Sequence, residues 1–430
     1  MALKDISRHY ADVMALGTPL PTRRVPIGEA RGLVLAEDAT ARFAIPPFTN
    51  SAMDGFALRV EDVTVGEPLA VTGDIPAGCT DIPDLEPGTT LRIMTGAPLP
   101  AGANAILQVE LTEDPSTNML PHPPARIVPT AIPASGEHIR YAGEDIAAGA
   151  LAFAVGTALT PAHLAALVAL GHADVAVHAR PRVGVVTTGD ELRAPGEEIA
   201  PGQIPDSNSV LVTQLAAEAG ATPETFACHT DTTDSFLTGL RALADGADLI
   251  VTTGGVSAGA FDVVKAALLS EGVTFDKVAM QPGKPQGYGT VADSTGRRIP
   301  IICLPGNPVS VFVSWQLFGR PLLDSLFGRA VPQYEDVFRP AVAGVSWSRS
   351  AGRTQFLPCV RVGDGAGGAP GGWASDAAGD GTANGVGPAT SGGSKSHLIA
   401  ALPLATGLAR VPAEVANVNE GDAVDVMWFR

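Results

Sequence analysis

The sequence predicts a multi-domain α/β plus β protein: a central doubly wound α/β domain between a two-part N-terminal region and a C-terminal β domain. Three observations carry that expectation. From about residue 181 to 326, continuous apolar segments alternate with helical patterns, the order that builds a mostly parallel sheet covered on both faces. Short β-like pieces between Pro/Gly turn signals fill the region before it, and short strands return from residue 331. The chain has 430 residues, room for about three domains at ~100–200 residues each.

Taken in order, a helix is expected over Asp5 to Leu16, stopped by Gly17 and Pro19. Leu69–Thr72 and Ala105–Val109 read as strands of a β-rich part. Residues 159–171 read as a helix with Thr160 as N-cap, Pro161 in the first position and Gly171 at the end. Val183–Thr187 is a continuous apolar run of the kind buried on both faces. Ser207 or Asn208 is expected to cap the next helix, which Gly220 closes. Strands at Thr225–Cys228, Leu249–Thr253 and Ile301–Leu304 alternate with helices at Ser235–Ala244, Val263–Leu269 and a long one over Val309–Leu326. The expected boundaries are 1–178, with helical parts 1–44 and 145–178 around a β-rich part at about 45–144, then 179–329 and 330–430. A Gly/Ala-rich stretch, 363–394, reads as an insertion. Its formal GxGxxG match at Gly363, Gly365 and Gly368 is discounted, because no helix can start after it.

Composition narrows the function. Asp and Glu total 45 and Lys and Arg 28, a net charge of −17 with no basic run, which argues against nucleic acid and anionic membrane surfaces as partners. The four cysteines are scattered and form no CxxC pair, so neither a zinc ribbon nor a disulfide framework is expected. With no apolar leader and no stretch fit to span a bilayer, the expected location is the cytoplasm. His163, His172, Cys303, Phe312 and Trp315 read as structural, and no GxSxG elbow supports a Ser-His-Asp hydrolase.

In an open parallel sheet, ligands bind beyond the carboxyl ends of the strands. Those positions hold Thr187-Thr-Gly-Asp-Glu191, His229-Thr-Asp231, Thr252 to Asp262, and Pro305-Gly-Asn-Pro-Val-Ser310. Glycines there admit a ligand close to backbone N–H groups, and the hydroxyls of Thr188, Thr253, Ser257 and Ser310 add donors, so a phosphate-bearing ligand is the natural guest. The same rim gathers Asp190, Glu191, Asp231 and Asp262. Acids beside a phosphate call for a cation between them, and hard oxygen ligands suit Mg²⁺. The ordinary alternative for each acid alone is a helix cap or turn. Lys284, within Met280 to Gly289, is either a solvent-facing hairpin lysine or an anion ligand.

Several separate motifs, in order, resemble the molybdopterin molybdenumtransferases, the MoeA family, related to the E domain of gephyrin. They are Pro46 to Ala57 (PPFTNSAMDGFA), Arg92 to Ala103 (RIMTGAPLPAGA), Arg140 with Gly143-Glu-Asp-Ile146, Thr188 to Leu192, Thr253 to Ser257, Pro282 to Pro285 and Leu304 to Ser310. The resemblance implies a central domain like the molybdopterin adenylyltransferases and an elongated homodimer whose active site uses both subunits. It implies insertion of molybdenum from molybdate into adenylylated molybdopterin with release of AMP, assisted by Mg²⁺. Carried over position by position, it implies that Asp54, Thr95, Asp145, Glu191, Asp231 and Asp262 serve catalysis, and that Asp190, Glu191, Asp231 and Asp262 lie near the metal. It implies that Thr188, Gly189, Asp190, Thr253, Gly254, Gly255, Ser257, Gly306 and Asn307 hold the ligand, and that Lys284, Pro285, Ser310, Arg353 and Ser396 surround molybdate. Two departures stand out: Gln281 replaces the first lysine of the family's KPGKP, and Asn104 replaces an aspartate, the latter expected to matter little. The competing functions are the preceding adenylyl transfer and a gephyrin-like scaffold. The flanking domains argue against the first, and the lack of further domains and linkers against the second.

Overall fold

In the computed structural model the chain divides into two compact units. One comprises Met1–Arg23, Gly32–Val34 and Val177–Arg430, the other Arg24–Arg31 and Leu35–Ala176. The structure describes residues 3–116, 121–189, 191–228, 233–256, 263–349, 351–362, 385–389 and 397–429.

The larger unit contains a six-stranded sheet in the spatial order Thr222–Cys228, Arg182–Thr188, Leu249–Thr253, Arg298–Leu304, Pro285–Ala292, Thr274–Lys277. The first four strands are parallel. Their apolar runs are explained by the two cores they separate. Alternate residues point to opposite faces of a strand. Val185, Val251 and Ile302 enter one core with Trp315 and Phe318, while Val186, Ile250 and Ile301 enter another with Phe236 and Leu240.

The last two strands are antiparallel, so the sheet is mixed. The glycines of this segment signal a turn in the sequence, yet Gly287 serves close packing. A Cβ there would stand 2.8 Å from the Phe275 ring and 2.9 Å from Cys303 Cβ. The first strand begins at Thr222, earlier than expected, and tolerates Pro223 because it is a sheet edge.

The expected long helix over Val309–Leu326 is interrupted. It is α-helical over Pro308–Ser314 and Arg320–Leu326, with a π turn over Trp315–Gly319 between them. Pro321 is the physical reason. It has no N–H to give to residue 317 and its ring would crowd that carbonyl, so the helix opens before it. Cap assignment changes too: Asp206, rather than Ser207 or Asn208, caps Ser207–Glu218, its Oδ1 accepting from Ser209 N at 3.0 Å. Its Oδ2 accepts from Thr187 Oγ1 at 2.8 Å, tying the helix start to the neighbouring strand.

A second sheet in this unit follows the order Met280–Gln281, Thr354–Val362, Gly407–Val411, Ala423–Trp428, Arg339–Val342, with Gly385–Pro388 against Thr354–Val362. Met280 and Gln281 pair with Thr354 and Gln355, and the chain enters the central sheet at Pro285. The turn at residues 282–284 therefore sits where the chain passes from one sheet to the other.

The N-terminal helix, Ile6–Met14, is capped by Asp5, whose Oδ1 accepts from Arg8 N at 3.1 Å. It buries His9 to 1% exposure, edge-on to Phe318 and Tyr288, with Nδ1 3.8 Å from Asp276, too far for a hydrogen bond. Close by, the Lys4 ammonium reaches Asp12 at 2.8 Å, Asp276 at 2.5 Å and the Tyr288 hydroxyl at 2.9 Å. Burial, helped by the Lys4 cation and opposed by Asp276 and Asp12, lowers the His9 pKa to about 4. The unfolded chain thus binds a proton that the folded chain refuses between pH 6.5 and about 4. Stability from this group is complete above the unfolded value and is lost as pH falls through that window, about 3 kcal/mol by pH 4. Denaturant unfolding at pH 7 and pH 4 should show His9→Phe losing about that much less than wild type. Equal losses in the two proteins would overturn the assignment.

The smaller unit is built on a five-stranded sheet in the order Ala105–Gln108, Gly55–Leu58, Thr89–Ile93, Leu69–Ile75, Arg126–Ile127. Leu69–Ile75 and Thr89–Ile93 are parallel, and the other neighbours antiparallel. Phe56 and Leu58 enter one core, Ala57 and Leu91 another. Helix Pro161–Ala169 has the expected Thr160 cap, completed by His163 into a capping box. Among the described residues no helix is long and apolar enough to cross a membrane.

Candidate functional site

Three glycine turns converge at the carboxyl edge of the parallel strands. After Arg182–Thr188 the chain turns at Gly189, and the Glu191 carboxylate lies against that glycine. After Leu249–Thr253, Gly254 and Gly255 take φ of +86° and +65°. Gly254 N donates to Leu304 O at 3.2 Å, and its α-carbon faces Gly306 of the third turn. Thr188 Oγ1 makes a long contact, 3.5 Å, with Thr253 O.

Asn208 completes the edge. Because Asp206 does the capping, the Asn208 side chain is free to donate from Nδ2 to Gly306 O at 2.7 Å. Its Oδ1 is buried and, among the described residues, has no partner; the same holds for Thr252 Oγ1 and Thr253 Oγ1. Buried polar groups are normally paired, so these unpaired atoms set the strand end and the Asn208 helix apart from the rest of the sheet. Asn307 occupies the N-cap position of Pro308–Ser314, and Ser310, 4% exposed, lies in its first turn.

The Lys284 turn stands beside this helix. Across a cis Gln281–Pro282 peptide the chain reaches Gly283, Lys284 and Pro285, and Val278 N donates to Lys284 O at 2.7 Å. Arg353 precedes the strand that pairs with Met280–Gln281. Its Nη1 donates to Met280 O and its Nη2 to Gln281 Oε1, both at 3.3 Å. Two cationic side chains are thus presented around one short segment. Among the described residues, neither forms an ion pair with a carboxylate.

The remaining predicted residues lie in the smaller unit, where three motifs form one surface. Asp54 Oδ1 accepts from Thr95 N at 2.7 Å and from Thr95 Oγ1 at 2.8 Å. Ser51 and Gly96–Ala97 exchange backbone bonds, Asp145 N donates to Ile45 O at 2.9 Å, and Arg140 pairs with Asn50. Asp54, Thr95, Asp145 and Arg140 are all exposed. Asn104 has a definite duty: its Oδ1 accepts from Val60 N at 2.8 Å, and its Nδ2 donates to Glu61 at 2.9 Å, which an aspartate could not do.

Asp190, Asp231, Ser257, Asp262, Ser396 and the 363–384 and 390–394 parts of the insertion lie outside the described residues. Of the four acids proposed for a cation, Glu191 alone is described, and no group of three metal-ligating side chains occurs among the described residues. Sequence reasoning missed Asn208 as a site residue, and also Thr252 and Gln286. Thr252 stands next to an already chosen residue. Gln286 could have been found as a polar residue inside a strand that enters the core.

Glycine turns and unpaired buried polar atoms at the edge of a doubly wound sheet, with a second sheet towards the C-terminus and a separate N-terminal β unit, define a multi-domain α/β protein with a ligand site at its sheet edge. Residues 2–171 match the MoeA N-terminal region (domains I and II), and residues 184–325 a probable molybdopterin binding domain. Molybdopterin molybdenumtransferase 2 of Mycobacterium tuberculosis is 39% identical over 437 residues, covering 99% of this chain and 98% of that protein. Molybdopterin molybdenumtransferase of Haemophilus influenzae is 34% identical over 343 residues, covering 79% and 81%. The crystal structure of the molybdopterin biosynthesis MoeA protein from Pyrococcus horikoshii superposes over both whole chains with a TM-score of 0.78 at 26% identity. The chain belongs to the molybdopterin molybdenumtransferase family.

Proposed function

We propose that this protein inserts molybdenum from molybdate into adenylylated molybdopterin and releases AMP. The observation that carries the reading is the joining of two binding features in one unit: the polar, glycine-lined sheet edge and the cationic Lys284–Arg353 segment. Thr188, Gly189, Thr253, Gly254, Gly255, Gly306 and Asn307, with Asn208 and Ser257, hold the phosphate-bearing ligand through backbone N–H groups and hydroxyls. Lys284 and Arg353 give charge-assisted hydrogen bonds to molybdate, a small dianion, and Ser310 and Ser396 add hydroxyls beside Pro285. Asp54, Thr95 and Asp145 complete the site from a second copy in a homodimer. Glu191, with Asp190, Asp231 and Asp262, would hold Mg²⁺, which neutralises charge between these acids and the ligand's phosphates.

The test is AMP release from adenylylated molybdopterin with and without molybdate. Molybdate-stimulated release is expected, and release indifferent to molybdate would reject the reading.

Gln281 tunes the same site. Its Oε1 accepts from Arg353, whereas a lysine there would repel the guanidinium and add a third cation. Gln281→Lys is therefore expected to tighten molybdate binding at low salt and steepen its salt dependence. Titrations at two ionic strengths with identical slopes in both proteins would sink this.

A further inference from the structure

Gln286 is a polar residue buried to 1% exposure one position into the Pro285–Ala292 strand. Its Nε2 donates to Gly283 O at 2.7 Å and to Ser314 Oγ at 2.6 Å, with Met280 Sδ at 3.9 Å. An amide nitrogen carries two hydrogens, and both are used. Gly283 directly precedes Lys284. Ser314 lies four residues after Ser310, on the same face of helix Pro308–Ser314. A single buried amide therefore joins the turn that presents Lys284 to the helix that presents Ser310.

The turn has little slack. Gly283 takes φ of +97°, and a Cβ there would stand 3.0 Å from Met280 Cε and from Ser314 Oγ. On its far side Val278 N holds Lys284 O at 2.7 Å. Removing the amide would leave Gly283 O without its donor and release one side of the turn.

We propose that Gln286 is a positioning residue for the oxyanion. It acts through Lys284 and Ser310, keeps their spacing fixed, and governs molybdate rather than adenylylated molybdopterin. This rests on the reading that Lys284 and Ser310 hold molybdate. A displacement of about 1 Å at a binding group is enough to cost ~10²-fold, so a partial release of the turn should be readable in kinetics.

The experiment compares Gln286→Met, which keeps the volume and removes the donors, with wild type, Ser314→Ala and Lys284→Ala. Three quantities are read: the molybdate KM in AMP release, the Kd of adenylylated molybdopterin, and the thermal midpoint. Gln286→Met is expected to raise the molybdate KM about tenfold or more with the Kd within about twofold of wild type. Ser314→Ala should move the same constant in the same direction by less, and the double variant should be no worse than Gln286→Met, because both break one linkage. In Gln286→Glu, the molybdate KM relative to wild type should recover as pH is lowered, since a carboxylic acid can donate to Gly283 O and a carboxylate cannot.

An unchanged molybdate KM in folded Gln286→Met, with Lys284→Ala impaired, would overturn this inference and leave the functional reading standing. An unimpaired Lys284→Ala would overturn the functional reading and the inference with it. Equal worsening of KM and Kd would show a merely structural role and overturn the inference as well. Should Gln286→Met fail to fold, Ser314→Ala decides by the same constants.

Discussion

Gly254→Ala is expected to lower affinity for adenylylated molybdopterin by roughly 100-fold and stability by about 2 kcal/mol. Gly254 has φ of +86°, where an alanine is strained. A Cβ at this position would also stand 2.8 Å from Thr188 O, a backbone atom that can yield only by moving its strand end. The displacement spreads. Gly254 N is bonded to Leu304 O, and two residues on, Gly306 O receives the Asn208 amide. One added methyl group thus disturbs all three turns proposed to cradle the ligand. Gly272→Ala is the control: φ is +89° but the space around its missing Cβ is empty, so it carries strain without a clash. It should lose some stability and keep ligand affinity. Equilibrium binding and urea unfolding separate the two effects. Wild-type affinity in folded Gly254→Ala would show that this edge does not hold the ligand.

Gly254 and Gly287 show why the sequence reveals part of the molecule and conceals the rest. Local signals were legible. Thr160 and Pro161 announce a helix start by themselves, and Val183–Thr187 is apolar throughout because cores lie on both sides of it. Glycines are ambiguous, since the same residue marks a turn at Gly254 and tight packing at Gly287. The difference is set by Thr188 in one case and by Phe275 and Cys303 in the other, all distant along the chain. Pro321 is visible in the sequence, but a proline also suits the first turn of a new helix, so neither the π turn that it forces nor the packing of Trp315 on Gly319 within that turn is legible there. The site divides in the same way. Its glycine and hydroxyl positions follow from the ends of apolar strands. The partners that orient them, Asp206 for Thr187, Asn208 for Gly306 and Gln286 for Ser314, arise only where folding brings different loops and helices together.

Trp315→Ala should be the most damaging single core substitution for stability, costing about 3–5 kcal/mol. Trp315 is 1% exposed and belongs to the core shared by Ile6, Val251, Ile302 and Phe318, so its removal leaves a ring-sized cavity beneath the central sheet. The indole lies over Gly319, where a Cβ would stand 2.7 Å from Trp315 Cε3 and 3.2 Å from Ile302 Cδ1. Gly319→Ala by itself therefore overpacks the π turn and should cost about 1–3 kcal/mol. The two changes are opposite faults at one spot: the alanine methyl group that collides with the indole fits once the indole is gone. The double variant should accordingly lose less stability than the sum of the single losses, with a coupling of at least about 0.5 kcal/mol. Denaturant unfolding of the four proteins measures that cycle. Strictly additive losses would mean that the contact between indole and glycine is not what shapes the turn. The consequence reaches the site, because the helix that ends in this turn carries Ser310 and Ser314. In folded Trp315→Ala the molybdate KM should rise together with the loss of stability, whereas Gln286→Met should raise it with the core intact.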